Sequence, residues 1–154
     1  MFIIIAHNIR SLHNVGSIFR TAEGAGVDKI YLTGYTGYPP RKEIAKVALG
    51  SENRISWEYV KNISTLVKKL KKEGISLVIC EQDTRSQSIY DYSPHGSVAL
   101  LMGNEVRGVS KRLRDQADDL IHIPMLGGRK SLNVSVACGI AAFEIGRKMV
   151  KKKL

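Results

Sequence analysis

Two glycine-rich segments follow short apolar runs and carry backbone and polar groups that could bind a small ligand. Residues 103–108, Gly-Asn-Glu-Val-Arg-Gly, follow the apolar run 98–102. Residues 124–133, which include Gly-Gly-Arg-Lys-Ser, follow the apolar run 120–123. Each pattern predicts a buried strand that ends in a loop and leads into a helix. Two such loops at the carboxyl ends of neighbouring strands would offer free N–H and C=O groups to a planar, hydrogen-bonding ligand.

The elements that must position these loops alternate between strands and helices. Apolar runs predict strands at 2–6, 29–33, 55–60, 75–80, 98–102 and 120–123. Helical spacing predicts helices at 14–24, 43–49, 64–73, 110–116 and 132–150, followed by a lysine tail at 151–153. Because no linker or repeat interrupts this alternation, we expect one α/β domain over residues 1–154, with a mostly parallel sheet flanked by helices.

The charge balance favours a polyanionic partner. The chain has 24 Lys plus Arg against 14 Asp plus Glu, a net charge of +10. Nucleic acid is the commonest partner of such a surface, and a lysine-rich surface without such a partner is the alternative.

Cys80 and Cys138 lie in apolar runs, which predicts buried thiols in a reduced, cytoplasmic protein. The apolar start is too short for a signal peptide or a membrane span, and the histidines lack metal-ligand spacing, so we expect no membrane and no metal.

Three segments, taken together, resemble the motifs of a known enzyme family. The first is residues 14–22, Asn-Val-Gly-Ser-Ile-Phe-Arg-Thr-Ala, the second is residues 103–108, and the third is residues 123–125 followed by 131–135. In this order they resemble the three motifs of the SpoU (TrmH-like) RNA 2′-O-ribose methyltransferases of the SPOUT superfamily. The resemblance implies a deep trefoil knot at the C-terminal end, S-adenosylmethionine bound in the knot, and a homodimer. It covers the catalytic domain alone, so we expect no accessory RNA-binding domain.

The same resemblance implies a set of catalytic residues. They are Asn14, Arg20, Glu105, Ser131 and Asn133. Arginine is a poor base because its pKa exceeds about 12. We therefore expect Arg20 to bind a phosphate beside the reacting ribose and to stabilise the developing alkoxide. The alternative is an ordinary surface arginine.

The other polar residues of this set have structural alternatives. The sequence gives no cause for a raised pKa at Glu105. We expect this carboxylate to hold its loop in shape, by accepting N–H groups or by pairing with a basic residue such as Arg107. Asn14 is predicted at the N-cap of the first helix, and Ser131 or Asn133 at the start of the last one, where a plain cap is the alternative to a catalytic role.

The resemblance also implies that the two glycine-rich loops bind the cofactor mainly through backbone groups, with apolar side chains around the adenine. Glu81, just after the strand at 75–80, is expected to line the same pocket. The expected cofactor-binding residues are Glu81, Met102, Gly103, Ile123, Met125, Ser131 and Leu132.

The sequence leaves the substrate and two other functions open. A single-domain member favours tRNA, and ribosomal RNA is the alternative. Tyr35, Tyr38 and Trp57 could stack on bases or pack in the core or rim.

A P-loop enzyme is disfavoured because Arg129 separates Gly128 from Lys130. The catalytic set argues against a non-catalytic RNA-binding module of the same fold.

Overall fold

The two most apolar runs of the chain, β1 (Phe2–His7) and β6 (Val98–Met102), lie side by side in the middle of the sheet. They pair in parallel, with Ile4 opposite Leu100. Nearly every residue in both strands is buried, because helices cover both faces of the sheet. This computed structural model describes residues 1–151.

Five further strands flank the central pair within residues 1–151. They are β2 (Lys29–Thr33), β3 (Ser56–Val60), β4 (Ser76–Cys80), β5 (Gln87–Ser88) and β7 (Asp119–His122). The order is β3-β2-β1-β6-β4-β7-β5, and every neighbouring pair is parallel. The helices are α1 (Leu12–Gly24), α2 (Lys42–Ala48), α3 (Ser51–Arg54), α4 (Ile63–Lys72), α5 (Lys111–Arg114) and α6 (Val134–Lys151). The predicted α/β architecture with a mostly parallel sheet is confirmed.

Alternate residues of β1 point into two separate apolar cores. Ile4 and Ala6 pack with residues of α1 and α6 on one face of the sheet. Ile3 and Ile5 pack with residues of α4 and α5 on the other face. A period of two in a strand buried on both sides produces this division. Because all strands run in one direction, the loops after β1, β4, β6 and β7 leave the sheet at the same edge.

The start of α1 differs from the prediction. Asn14 is not the N-cap: the cap is Ser11, whose Oγ accepts a hydrogen bond from the Asn14 backbone N–H at 3.2 Å. Leu12 packs against the core on the α1 side of the sheet, so the helix begins two residues earlier than the apolar spacing from Val15 onward predicts. Asn14 is therefore the third helical residue, and its side chain is free to make other contacts.

Two short elements lie outside the predicted set, α3 and β5. Ser51 and Arg54 of α3 both donate to the Glu23 carboxylate, at 2.5 and 2.6 Å. Gln87 and Ser88 of β5 pair with the edge of β7 in a segment predicted to be irregular. Both elements depend on contacts distant in sequence, which local periodicity does not encode.

The knot implied for the C-terminal end stays a prediction. The strand order of the sheet is compatible with it. Most of the lysine tail, residues 152 and 153, lies outside the described residues. None of the helices within residues 1–151 combines the length and hydropathy that a membrane crossing requires.

Candidate active site

The loops that follow β4, β6 and β7 enclose a cleft of about 280 Å³. This volume is close to the lower end of the range for small-molecule sites, about 300 Å³. The cleft brings together all seven residues that were expected to bind a cofactor: Glu81, Met102, Gly103, Ile123, Met125, Ser131 and Leu132. Met102, Ile123 and Val134 give it an apolar floor and are each 8% exposed or less. Arg107 and Lys130 supply cationic groups at its wall.

The loop after β6 is a closed turn in which Gly103 has no room for a side chain. The backbones of Asn104 and Gly108 exchange two hydrogen bonds, at 3.1 and 2.9 Å. The Asn104 Oδ1 accepts from the N–H groups of Val106 and Arg107, at 2.9 and 2.8 Å. A Cβ on Gly103 would lie 2.7 Å from the Gly108 carbonyl oxygen. The rim of the cleft is therefore fixed by backbone hydrogen bonds and by the Asn104 side chain.

Glu81 connects the loop after β4 to this turn. Its Oε2 accepts from the Val109 N–H at 2.9 Å, and its Oε1 accepts from the Gln82 N–H at 3.0 Å. Gly108 has a φ of +63°, and a side chain there would collide with the Glu81 carboxylate. Glu81 thus lines the cleft as expected and also holds two of its loops at a fixed distance.

Glu105 joins the same turn to the start of α1. Its Oε2 accepts from the Arg10 N–H at 2.9 Å. Its Oε1 accepts from the Ser11 N–H at 3.0 Å and from the Asn14 Nδ2 at 3.1 Å. Burial raises the pKa of Glu105, but these hydrogen bonds outweigh burial and hold the pKa below the ordinary value. A carboxylate with a lowered pKa is poorly suited to act as a general base at neutral pH.

Asn14 and Asn133 continue this network to the last helix. The Asn133 Nδ2 donates to the Asn14 Oδ1 at 3.3 Å. The Asn133 Oδ1 accepts from the Ser135 N–H at 2.9 Å, which makes Asn133 the cap of α6. A continuous chain of hydrogen bonds therefore runs from Asn133 through Asn14 to Glu105. The structure brings these three expected catalytic residues together.

The other two expected catalytic residues, Ser131 and Arg20, are not part of this network. Ser131 lines the cleft and is exposed. Arg20 is an exposed residue of α1, about 9 Å along the helix from Asn14, and it makes no hydrogen bond or ion pair with the part of the chain that the structure describes. It lies one turn before Gly24, against which the ring of Phe143 packs.

Sequence reasoning missed Asn104 and Tyr35 as structural partners of the site. The Asn104 Nδ2 donates to the Asn8 carbonyl oxygen at 2.9 Å and to the Tyr35 hydroxyl at 2.8 Å. The Gly-Asn pair at a strand end is a signal for an Asx turn, and it could have identified Asn104. Nothing local in the sequence indicates the contact between Asn104 and Tyr35, which are 69 positions apart.

The two thiols do not take part in this site as nucleophiles. Cys80 and Cys138 are free cysteines, as predicted. Burial raises the pKa of both to about 12, so neither forms the reactive thiolate at neutral pH.

Comparisons with known proteins place this geometry in a family. Residues 1–143 match the model of the SpoU rRNA Methylase family. The chain is 32% identical over 151 residues to the 23S rRNA (guanosine-2′-O-)-methyltransferase RlmB of Vibrio cholerae, covering 98% of this chain and 61% of that protein. This chain thus spans about three fifths of the length of that curated relative.

Solved structures give the same result. The A. aeolicus TrmH/SpoU tRNA modifying enzyme superposes with a TM-score of 0.88 at 32% identity, covering 99% of this chain and 77% of that one. An rRNA methyltransferase from Sinorhizobium meliloti, solved with AdoMet bound, superposes with a TM-score of 0.90 at 30% identity, covering 97% of this chain and 56% of that one. The family match over residues 1–143 and the sequence relatives agree with this fold: the chain belongs to the SpoU rRNA methylase family.

Proposed function

We propose that this chain transfers a methyl group from S-adenosylmethionine to a ribose 2′-hydroxyl of RNA. The observation that carries the proposal is the position of Glu105. Its carboxylate is at the rim of the cleft that contains every expected cofactor residue, and it is joined by hydrogen bonds to Asn14 and, through it, to Asn133. The two free thiols favour the cytoplasm as its compartment.

The donor set of the cleft fits S-adenosylmethionine. The apolar floor of Met102, Ile123 and Val134 suits an adenine ring. Arg107 and Lys130 suit the carboxylate of the methionine part. When bound, this cofactor supplies an activated methyl group, so the protein itself needs no covalent nucleophile.

The residues of this chain then orient the groups and stabilise charge. Glu105 and Asn14 fix the loop at the rim of the cleft relative to α1, and such alignment supplies several kcal/mol of a displacement barrier. Arg20 is the residue we assign to the phosphate and the developing alkoxide of the ribose, because its guanidinium keeps its charge and is exposed.

We further propose that the active form is a homodimer. Exposed apolar residues follow one face of α6 at seven-residue spacing: Val136, Phe143 and Val150 are 51%, 54% and 59% exposed. Arg20 is exposed on α1, one turn before the Gly24 that the Phe143 ring packs against, and it does not line the cleft of its own chain. A second copy covering this stripe would bury the apolar side chains and surround Arg20 with further residues.

Ribosomal RNA is the substrate that the curated relatives support, since the Vibrio cholerae protein is named a 23S rRNA methyltransferase. The name of the A. aeolicus neighbour, a tRNA modifying enzyme, favours tRNA instead. We propose ribosomal RNA first and tRNA second.

Titration calorimetry with S-adenosylmethionine in the presence of EDTA tests the cofactor, and mapping of ribose methylation tests the substrate. We expect binding in the micromolar range, and a ribosomal RNA site that loses its 2′-O-methyl group in a strain without the gene. Absence of binding at millimolar cofactor would overturn the proposal. A lost site in tRNA would overturn only the choice of RNA.

A further inference from the structure

A second, more open cavity also borders Glu105. It has a volume of about 340 Å³ and is lined by Arg10, Ser11 and Glu105. Glu105 is the one residue that both cavities share within the described chain. A group placed in this second cavity would therefore adjoin the proposed cofactor cleft, and the exposed Arg10 side chain could reach a phosphate there.

Tyr35 presents an anchored aromatic ring beside Asn104, the residue that precedes Glu105. The residue is 60% exposed, yet it is anchored at both ends. Its backbone N–H donates to the Asn8 Oδ1 at 3.2 Å, and its hydroxyl accepts from the Asn104 Nδ2 at 2.8 Å. That same Nδ2 lies 3.4 Å from the Glu105 Oε2. The hydroxyl end of the ring is therefore separated from the Glu105 carboxylate by a single amide group.

The backbone around Tyr35 is equally constrained. Asn8 and Gly34 both have left-handed φ values, +54° and +66°, and a side chain on Gly34 would collide with the Asn8 amide. An exposed aromatic ring that is already ordered loses little conformational freedom when a ligand packs on it. This combination of exposure and anchoring favours stacking of a base on the ring.

The other exposed tyrosines lack this combination. Tyr38 is packed on the rings of Tyr59 and Trp57, with centroids 4.5 and 6.2 Å apart, so its place is structural. Tyr90 is 58% exposed, but it lies far from the second cavity. Tyr90 follows β5, whereas Tyr35 follows β2, and these two strands are five positions apart in the sheet.

We propose that the second cavity receives the target nucleotide of a single-stranded RNA segment, and that Tyr35 stacks on its base. This inference rests on the proposed RNA methyl transfer and adds a substrate-binding residue to it. Stacking also explains how the base could be held while its ribose is directed toward Glu105 and the cofactor cleft.

Two substitutions at Tyr35 and one elsewhere test the proposal. Tyr35→Ala removes the ring, Tyr35→Phe keeps the ring and removes the hydrogen bond to Asn104, and Tyr90→Ala is the control of matched exposure. Binding of a fluorescein-labelled, mixed-sequence single-stranded RNA 15-mer is followed by anisotropy. Methyl transfer is measured with labelled S-adenosylmethionine and total RNA from a strain without the gene.

We expect Tyr35→Ala to weaken RNA binding and to lower kcat/KM for RNA by about tenfold or more, as loss of one base–aromatic stack does. Tyr35→Phe should stay within about threefold of wild type, Tyr90→Ala should match wild type, and the cofactor Kd should be unchanged in all three. Equal losses in Tyr35→Ala and Tyr35→Phe would overturn the proposal, because they would assign the role to the hydrogen bond. A Tyr35→Ala protein with wild-type RNA binding would also overturn it. A wild-type protein that binds RNA through Tyr35 but transfers no methyl group would contradict the proposed function alone.

Discussion

The Glu105 carboxylate accepts three hydrogen bonds from groups that precede it by more than 90 positions in the chain. The sequence indicates that this residue shapes a loop, and the structure identifies its partners as Arg10, Ser11 and Asn14 rather than Arg107. The sequence could not supply these partners because they come from the end of β1 and the start of α1. The sequence signal closest to these partners is Ser11, the N-cap of α1, which lies between Arg10 and Asn14.

Glu105→Ala should lower the free energy of unfolding at pH 7 by about 1–3 kcal/mol, because three donors lose their acceptor. The folded-state pKa of Glu105 lies below its ordinary value of 4.5. Its contribution is therefore present above pH 4.5 and is lost as the pH falls through the folded-state value. Urea unfolding at pH 7 and pH 3 measures this, with the exposed Glu73→Ala as control. A difference from wild type that is the same at both pH values would contradict this account.

Arg20→Ala should leave folding and cofactor affinity within a few-fold of wild type, because the side chain is exposed and lies outside the cleft. Methyl transfer should fall by about a hundredfold or more, the typical effect of removing one well-placed electrostatic group. Arg20→Lys should restore little, since an ammonium cannot form the bidentate contact with a phosphate. Calorimetry and single-turnover transfer separate the two effects. Near-normal transfer with lost cofactor affinity would contradict the assigned role.

At the scale of elements, the Asn133 side chain at the start of α6 makes two different kinds of contact. Asn133 caps the helix through its Oδ1 and donates to Asn14 through its Nδ2. Asn133→Ala should remove both contacts, lower stability by about 0.5–2 kcal/mol, and weaken both cofactor binding and transfer. Asn133→Asp keeps the cap oxygen and loses the donor.

Thermal unfolding and transfer assays on these two variants separate the effect of the helix cap from the effect of the hydrogen bond to Asn14. We expect Asn133→Asp to recover most of the stability and little of the transfer rate. Full recovery of transfer would reduce Asn133 to a plain cap.

The exposed apolar face of α6 is the proposed contact surface of the dimer. Phe143→Asp places a charge in the apolar stripe of Val136, Phe143 and Val150, so it should convert the proposed dimer to a monomer and lower transfer with it. Light scattering at micromolar concentration measures the mass. Leu49→Asp, at a position of 59% exposure outside the stripe, is the control. A wild-type monomer, or a Phe143→Asp dimer, would count against this interface.

Elements with strong apolar patterns could be predicted from the sequence, and elements held by distant contacts could not. The strand Val98–Met102 is observed as predicted because five consecutive apolar residues fit only a fully buried position. Helix α3 was missed because it follows the left-handed residues Leu49 and Gly50 and is tied to Glu23 of α1. Periodicity reports burial, whereas such short elements depend on individual side-chain contacts.

For the whole molecule, alternation of strands and helices predicted the parallel sheet, and the position of the cleft followed from it. Parallel strands bring their carboxyl ends to one edge, so loops far apart in the sequence meet there. This rule gathers the expected cofactor residues in one cleft. It does not bring Arg20 to the cleft, because Arg20 is an exposed residue of α1. The role assigned to Arg20 depends on the proposed second copy.

The central claim is methyl transfer to ribose, and one measurement tests it most directly. Total RNA from a strain without the gene is incubated with the purified protein and methyl-labelled S-adenosylmethionine, digested to nucleosides and analysed by mass spectrometry. The account predicts a label on the ribose 2′-oxygen of a single nucleoside, and its loss with Arg20→Ala. A label on a base, or no label at all from a protein that binds the cofactor, would contradict it.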